Sequence, residues 1–295
     1  MTVQIRSFSD IDVLDIIKLL NTTYQNAYEF SPYTEEGLRS WIQEGKLKIL
    51  VVEEDGRFVG SAAYHDGHWG EEVEWLAVPE RPDRKAIEKS FVDKIEKYVK
   101  GNTVFTAVDS GSPKIAEWAE RGYKAEGGLC HLTAKLNELR PVPEVPEGIV
   151  LRNLKADEEE QMVEAVNSGF GFERLKLGNL QTWKTDDPPF DERWVQVAET
   201  EGKIVSVVVA KPDTNYNKTF NCRRGYLGPA TTLADFRGKN LASALTVRAM
   251  NLLFTEGMDS VGLFTSEKNA ASLTLLEKVG FETSHVWKFM RKNLP

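Results

Sequence analysis

The stretch Tyr226-Leu227-Gly228-Pro229-Ala230-Thr231-Thr232-Leu233-Ala234-Asp235-Phe236-Arg237-Gly238-Lys239-Asn240-Leu241-Ala242-Ser243 sets the terms for the whole chain. Its first seven residues are strand-like. Leu241, Leu245, Ala249 and Leu252 then recur near the spacing of one helix face. Between strand and helix lies a short loop containing Arg237, Gly238 and Lys239. A helix begins with backbone N–H groups that have no intrahelical acceptor and that mark the positive end of its dipole. Gly238 lets a ligand approach the main chain closely, and Arg237 and Lys239 add positive charge. Strand, loop and helix start therefore form a candidate cradle for a phosphorylated ligand.

Downstream, residues 260–266 read as a strand. Asn269-Ala270-Ala271-Ser272-Leu273 and Leu275-Leu276-Glu277-Lys278-Val279-Gly280-Phe281 follow. The two segments together resemble the signatures of the GNAT superfamily of N-acetyltransferases. The Arg/Gln-x-x-Gly-x-Gly/Ala loop of that superfamily reads here Arg237, Gly238, Lys239, Asn240, Leu241, Ala242. Asn240 stands at the place of the usual glycine, and asparagine tolerates the left-handed backbone region better than most residues.

The resemblance implies an α+β fold, a mixed and mostly antiparallel sheet flanked by helices, with acetyl-CoA as co-substrate. It implies direct attack of an amine on the thioester in a ternary complex. Backbone groups of Ala230 and Thr232 would hold the pantetheine arm. Arg237, Gly238, Lys239, Asn240, Leu241, Ala242 and Ser243 would cradle the pyrophosphate. Asn269 would contact the cofactor arm, a role compatible with capping the helix it precedes.

The proton-handling groups depart from the family pattern. Where many members carry a tyrosine acid, this chain has Leu276; where some carry a glutamate base on the central strand, it has Tyr226. A thiol's pKa of about 8.5 lets CoA leave with modest help. A phenol with a pKa near 10 is a poor base, which suits Tyr226 to orienting water or substrate, or to packing. His285, the one histidine after residue 148, is a second candidate for proton relay, and Asp213 could attract a cationic amine. The acceptor region is expected along Gly169-Phe170-Gly171-Phe172-Glu173, Trp183 and Asp186-Asp187-Pro188-Pro189-Phe190.

Near the middle of the chain, Pro141, Pro143 and Pro146 mark an extended linker, because alternate prolines prevent helix and weaken strand pairing. The expected organisation is a domain over 1–138, a linker over 139–147 and a domain over 148–295. The halves repeat. Val3-Gln4-Ile5-Arg6 is matched by Ile149-Val150-Leu151-Arg152, and the turn Asp55-Gly56 by Glu201-Gly202. Both markers lie 146 positions apart, which indicates a duplication. The first copy has lost the loop glycines: Pro79-Glu80-Arg81-Pro82-Asp83-Arg84-Lys85-Ala86-Ile87-Glu88 places a proline and a carboxylate where phosphate would sit. The expectation is a first domain that keeps the fold without binding CoA, and a catalytic second domain. The alternative is a non-catalytic scaffold that binds acyl-CoA or a protein partner.

Composition sets limits. The 295 residues are 41% hydrophobic and 28% charged, ordinary for a soluble globular chain. A net charge of −8 argues against nucleic acid or a membrane surface as general partner. Two cysteines form no disulfide framework. The start Met1-Thr2-Val3-Gln4 shows no leader pattern, so the cytoplasm is the expected location. The four histidines are dispersed, and no metal site is expected. The spacing from Gly257 to Gly262 mimics a nucleotide loop, but Leu263 stands where lysine is required.

Overall fold

The computed structural model describes residues 3–45, 47–67 and 70–295. Met1 and Thr2, on which the leader reading rests, lie outside the described residues. The chain divides into two compact units, Met1–Leu129 with His285–Pro295, and Cys130–Ser284.

The first unit contains β1 (Val3–Ser7), α1 (Val13–Tyr24), α2 (Glu35–Gln43), β2 (Leu47–Glu54), β3 (Arg57–Gly67), β4 (Gly70–Ala77), α3 (Arg84–Ile95), β5 (Thr103–Asp109), α4 (Lys114–Glu120) and the start of β6 (Lys124–Lys135). Its strands run in the order β1-β2-β3-β4-β5, antiparallel except for a parallel contact between β4 and β5. β2 reads Leu50-Val51-Val52 without polar alternation because both of its faces are covered. Leu50 and Val52 pack with Phe91 and Ile95 of α3, and Val51 packs with Ile16 and Leu20 of α1.

The second unit contains β7 (Val150–Asn153), α5 (Glu159–Phe170), α6 (Asn179–Asp186), β8 (Val195–Thr200), β9 (Lys203–Pro212), α7 (Thr214–Phe220), β10 (Arg224–Thr232), α8 (Leu241–Thr255), β11 (Ser260–Ser266) and α9 (Ala270–Lys278). Its strand order is β11-β10-β9-β8-β7, with β10 and β11 parallel. Residues 204–210 of β9 are all buried. In α8, Leu241, Leu245 and Ala249 are buried as their spacing predicts, but Leu252 is only half-buried and Leu253 is buried in its place. A period of 3.6 carries the stripe on by one residue there.

The last strand, β12 (Glu282–Asn293), alters the sequence-based division. Trp287 to Asn293 pair antiparallel with Asp109 to Thr103, and Met290 is buried beside Val104 and Val108. His285, expected in the second half, thus belongs to the first unit. The span 139–147 contains neither helix nor strand.

Both hairpin turns adopt left-handed backbone, with φ of 50° and 77° at Asp55-Gly56 and 52° and 75° at Glu201-Gly202. A further repeat emerges in three dimensions. Arg6 holds Asp12 and Glu53, and Arg152 holds Glu158 and Glu199, with N···O distances of 2.5–2.8 Å. All three positions are offset by 146. The acidic counterpart of Asp12 is therefore Glu158.

Candidate functional site

The site grows from the way β10 leaves β11. Their parallel ladder runs from Arg224↔Ser260 through Gly225↔Val261 to Tyr226↔Gly262 and ends there. β10 continues along β9 as far as Thr232↔Ser206, with a register shift between Leu227 and Ala230. The shift falls on Gly228-Pro229, joined by a cis peptide. Pro229 thus marks a bulge. Beyond Tyr226 the two strands part, and the edge of β10 towards β11 is open to an extended ligand that adds like a strand. Ala230 is exposed and Thr232 half-buried on this segment, and the Ser206 hydroxyl lies 2.7 Å from that of Thr232.

At the end of β10 the chain turns into α8 through two left-handed residues, Gly238 at φ 76° and Asn240 at φ 59°. Asn240 adopts the backbone that glycine usually supplies here. It is the N-cap residue, yet its side chain caps nothing. The first N–H groups of α8, at Leu241, Ala242 and Ser243, therefore have neither an intrahelical acceptor nor a capping side chain. A β-carbon at Gly238 would meet nothing within 4 Å, so it is the backbone conformation that asks for glycine.

The two loop cations act differently from a bare pair of charges. Arg237 donates to the carbonyls of Thr232 at 3.1 Å and Gly169 at 3.2 Å, which ties the loop to the ends of β10 and α5. Lys239 extends over the Phe236 ring at 4.8 Å and remains exposed. Gly169 is required by contact: a β-carbon there would come within 2.1 Å of the Thr231 hydroxyl. Asn269 is the N-cap of α9 and accepts a hydrogen bond from the Ser272 amide at 3.2 Å.

Tyr226 stands where the strands part. Burial pushes its phenol above the ordinary value, against an opposing effect of Arg174 and a hydrogen bond from the Phe264 amide. The group is therefore a proton carrier and not a base at neutral pH. Its ring lies over Gly228, where a β-carbon would be 3.2 Å from Cε1. Leu276 is buried, 4% exposed, and offers no proton.

Other sequence candidates lie elsewhere. His285 is in the first unit, with Nε2 2.7 Å from Asp109, its ring stacked on Tyr28 at 4.2 Å. Asp213 stands at the N-cap position of α7 without a capping side-chain bond and is bound to Arg224 at 2.8 Å, so its charge is neutralised. Asp187 is buried and paired with Lys211 at 2.6 Å, whereas Asp186 is exposed. Trp183 packs on Phe190, which is buried, and both serve the interior. Phe170 and Phe172 remain, 38% and 52% exposed, in edge contact at 5.7 Å. They follow Gly169, which touches the tip of β10. Tyr226 and these two rings are thus the candidates that share the opening's neighbourhood.

The first unit shows what the equivalent loop has become. β4 and β5 also part after a short parallel contact, at Glu72↔Phe105. A cleft of about 360 Å³ opens there, lined by Tyr24, Glu74, Leu76, Glu88, Ala107 and Arg121 among others. Its cations are already matched: Arg84 lies 2.7 Å from Glu88 and 2.8 Å from Glu117, and Arg121 lies 2.5 Å from Glu88. Glu88 is buried, and it is a fixed negative charge on the cleft wall. Sequence reasoning found Glu88 but missed Glu74, because nothing in Glu71-Glu72-Val73-Glu74 tells which carboxylate lines the cleft.

The acetyltransferase (GNAT) family model matches residues 153–281. Mycothiol acetyltransferase of Clavibacter michiganensis subsp. michiganensis is 24% identical over 266 residues, covering 87% of this chain and 84% of that protein. Mycothiol acetyltransferase of Thermobispora bispora is 25% identical over 206 residues, covering 61% of this chain and 66% of that protein, just under two thirds. In four further proteins of that name the match spans 44–63% of their length. The fold is similar to a GCN5-related N-acetyltransferase from Sphaerobacter thermophilus, with a TM-score of 0.72, 19% identity and coverage of 99% and 95%. It is also similar to a tandem GNAT protein from the clavulanic acid biosynthesis pathway, with a TM-score of 0.65, 17% identity and coverage of 99% and 98%.

Proposed function

We propose that this chain, which belongs to the acetyltransferase (GNAT) family as a tandem member, transfers an acetyl group from acetyl-CoA to a primary amine of a small-molecule acceptor. The second unit is the catalytic one in this reading. The observation that carries it is the uncapped start of α8 behind the left-handed residues Gly238 and Asn240, next to the open edge of β10. Phosphate oxygens accept from the N–H groups of Leu241, Ala242 and Ser243, with Lys239 and the remaining Arg237 N–H groups adding charge. Backbone groups of Ala230 and Thr232 hold the pantetheine arm. Asn269 caps α9 through its carbonyl oxygen and keeps its amide N–H₂ for the cofactor arm.

The amine attacks the thioester carbon directly. The carbon–nitrogen bond forms, the carbon–sulfur bond breaks, and CoA leaves with the electron pair as a thiolate. Tyr226, held protonated by burial, donates a hydrogen bond or proton to the developing charge; the ammonium product loses its proton to water. Phe170 and Phe172 lie towards the acceptor. Relatives named for mycothiol make acceptors of that kind the first to try.

The test is release of free CoA thiol from acetyl-CoA across a panel of amines. Amine-dependent release is expected, with Tyr226→Phe lowering kcat roughly tenfold to a hundredfold while acetyl-CoA affinity stays within about twofold. An unchanged kcat removes Tyr226 from the reaction. Tight binding without turnover on any amine favours the second reading, a non-catalytic acyl-CoA-binding module, which Leu276 in place of a proton donor motivates.

A further inference from the structure

His65 of β3 faces Glu72 of β4 in the antiparallel register, and Glu74 follows two residues along on the same face. The register shifts between Ala63↔Trp75 and Tyr64↔Val73, which makes Glu74 the extra residue of a bulge. His65 Nδ1 lies 3.3 Å from a Glu72 oxygen and 3.3 Å from a Glu74 oxygen. One donor atom from each of the three residues lies within 4.8 Å of the others. Ligands at about 2.0–2.1 Å around a tetrahedral ion are spaced by roughly 3.3 Å, the separation seen here. The three side chains are only 17%, 19% and 22% exposed. Among the described residues no lysine or arginine pairs with Glu72 or Glu74, unlike Glu88 and Glu158, each of which has arginine. Two carboxylates thus share a half-buried site with a single imidazole. The Trp41 ring stands edge-on to His65 at 5.3 Å and fixes its orientation.

We propose that His65, Glu72 and Glu74 form a three-ligand site in the first unit for a first-row divalent cation of the zinc class. One imidazole nitrogen and two carboxylate oxygens balance the ion's charge and leave a coordination position for water. Glu74 also lines the cleft between β4 and β5, which places the ion at the wall of a space large enough for a small ligand.

The test uses the full chain, stripped with chelator and titrated calorimetrically with Zn²⁺ in two buffers of different ionisation enthalpy. One site per chain is expected. His65→Ala and Glu74→Gln should each weaken binding at least tenfold, since even supporting residues around a metal are worth about that much. His285→Ala and Cys222→Ser should leave affinity unchanged. Should a variant fail to fold, the Co²⁺ spectrum of the unaltered chain decides: a d–d band without thiolate charge transfer fits the nitrogen–oxygen donor set. No binding, unchanged affinity in His65→Ala, or a thiolate band would overturn the proposal.

Discussion

Gly238 combines a left-handed backbone with open space around the position of a β-carbon. These properties make it a clean point of attack. Gly238→Ala should destabilise by about 1 kcal/mol through the positive φ and leave most acetyl-CoA affinity in place. Gly238→Glu adds a carboxylate at the start of α8 and should abolish acetyl-CoA binding, with folding checked by circular dichroism. Lys85→Glu, at the matching loop of the first unit, should change affinity by less than about twofold, because Lys85 is exposed and its partner Glu120 belongs to the unit's own charge network. Equal loss from Gly238→Glu and Lys85→Glu would contradict the assignment of the cofactor to the second unit. At this scale the sequence was most legible where backbone conformation dictates residue type. Gly238, Asn240 and the two hairpin turns were readable for that reason. Side-chain partners were not, since they depend on elements distant in sequence. Asp213 met Arg224, Asp187 met Lys211, and His285 met Asp109.

Each unit fastens its first strand with an arginine fork. In the second unit Arg152 holds Glu158 and Glu199, and both Arg152 and Glu158 are largely buried. Burial pushes the Glu158 carboxyl up, but the hydrogen bonds from Arg152 and the Lys155 amide outweigh it and hold the group at about 2. The sign of the pH effect follows. A carboxylate whose folded value lies below its ordinary value of 4.5 contributes stability that is complete above 4.5. That contribution is lost as pH falls towards 2. Glu158→Gln should therefore lower stability at pH 7 by about 2 kcal/mol, discounted for the partial exposure of Arg152. It should also flatten the acid limb of a urea-denaturation series between those pH values. An acid limb as steep as in the unaltered chain would contradict this role for the fork. The elements themselves were legible from periodicity and turn chemistry. The drift of the buried stripe in α8 from Leu252 to Leu253, and the pairing of Trp287–Asn293 with Thr103–Asp109, were not. The first depends on an accumulated rotation, and the second on a strand partner far off in sequence.

The whole chain is a duplication whose copies have diverged in charge. Both units open a wedge where two parallel strands part, after Tyr226↔Gly262 in one and after Glu72↔Phe105 in the other. In the second unit that wedge leads to an uncapped helix start. In the first, Arg84 and Arg121 are bound to Glu88 and Glu117, and Glu74 adds a carboxyl to the cleft. The duplication was visible in sequence through two markers, and the fork adds two more equivalences at the same offset, Asp12 with Glu158 and Glu53 with Glu199. Among the described residues, no helix is long and apolar enough to cross a membrane. The difference between the two wedges is tested directly by a calorimetric titration of the purified chain with acetyl-CoA, read for stoichiometry. One site per chain, lost in Gly238→Glu, is the predicted result. Two sites, or one site that survives Gly238→Glu, would contradict it.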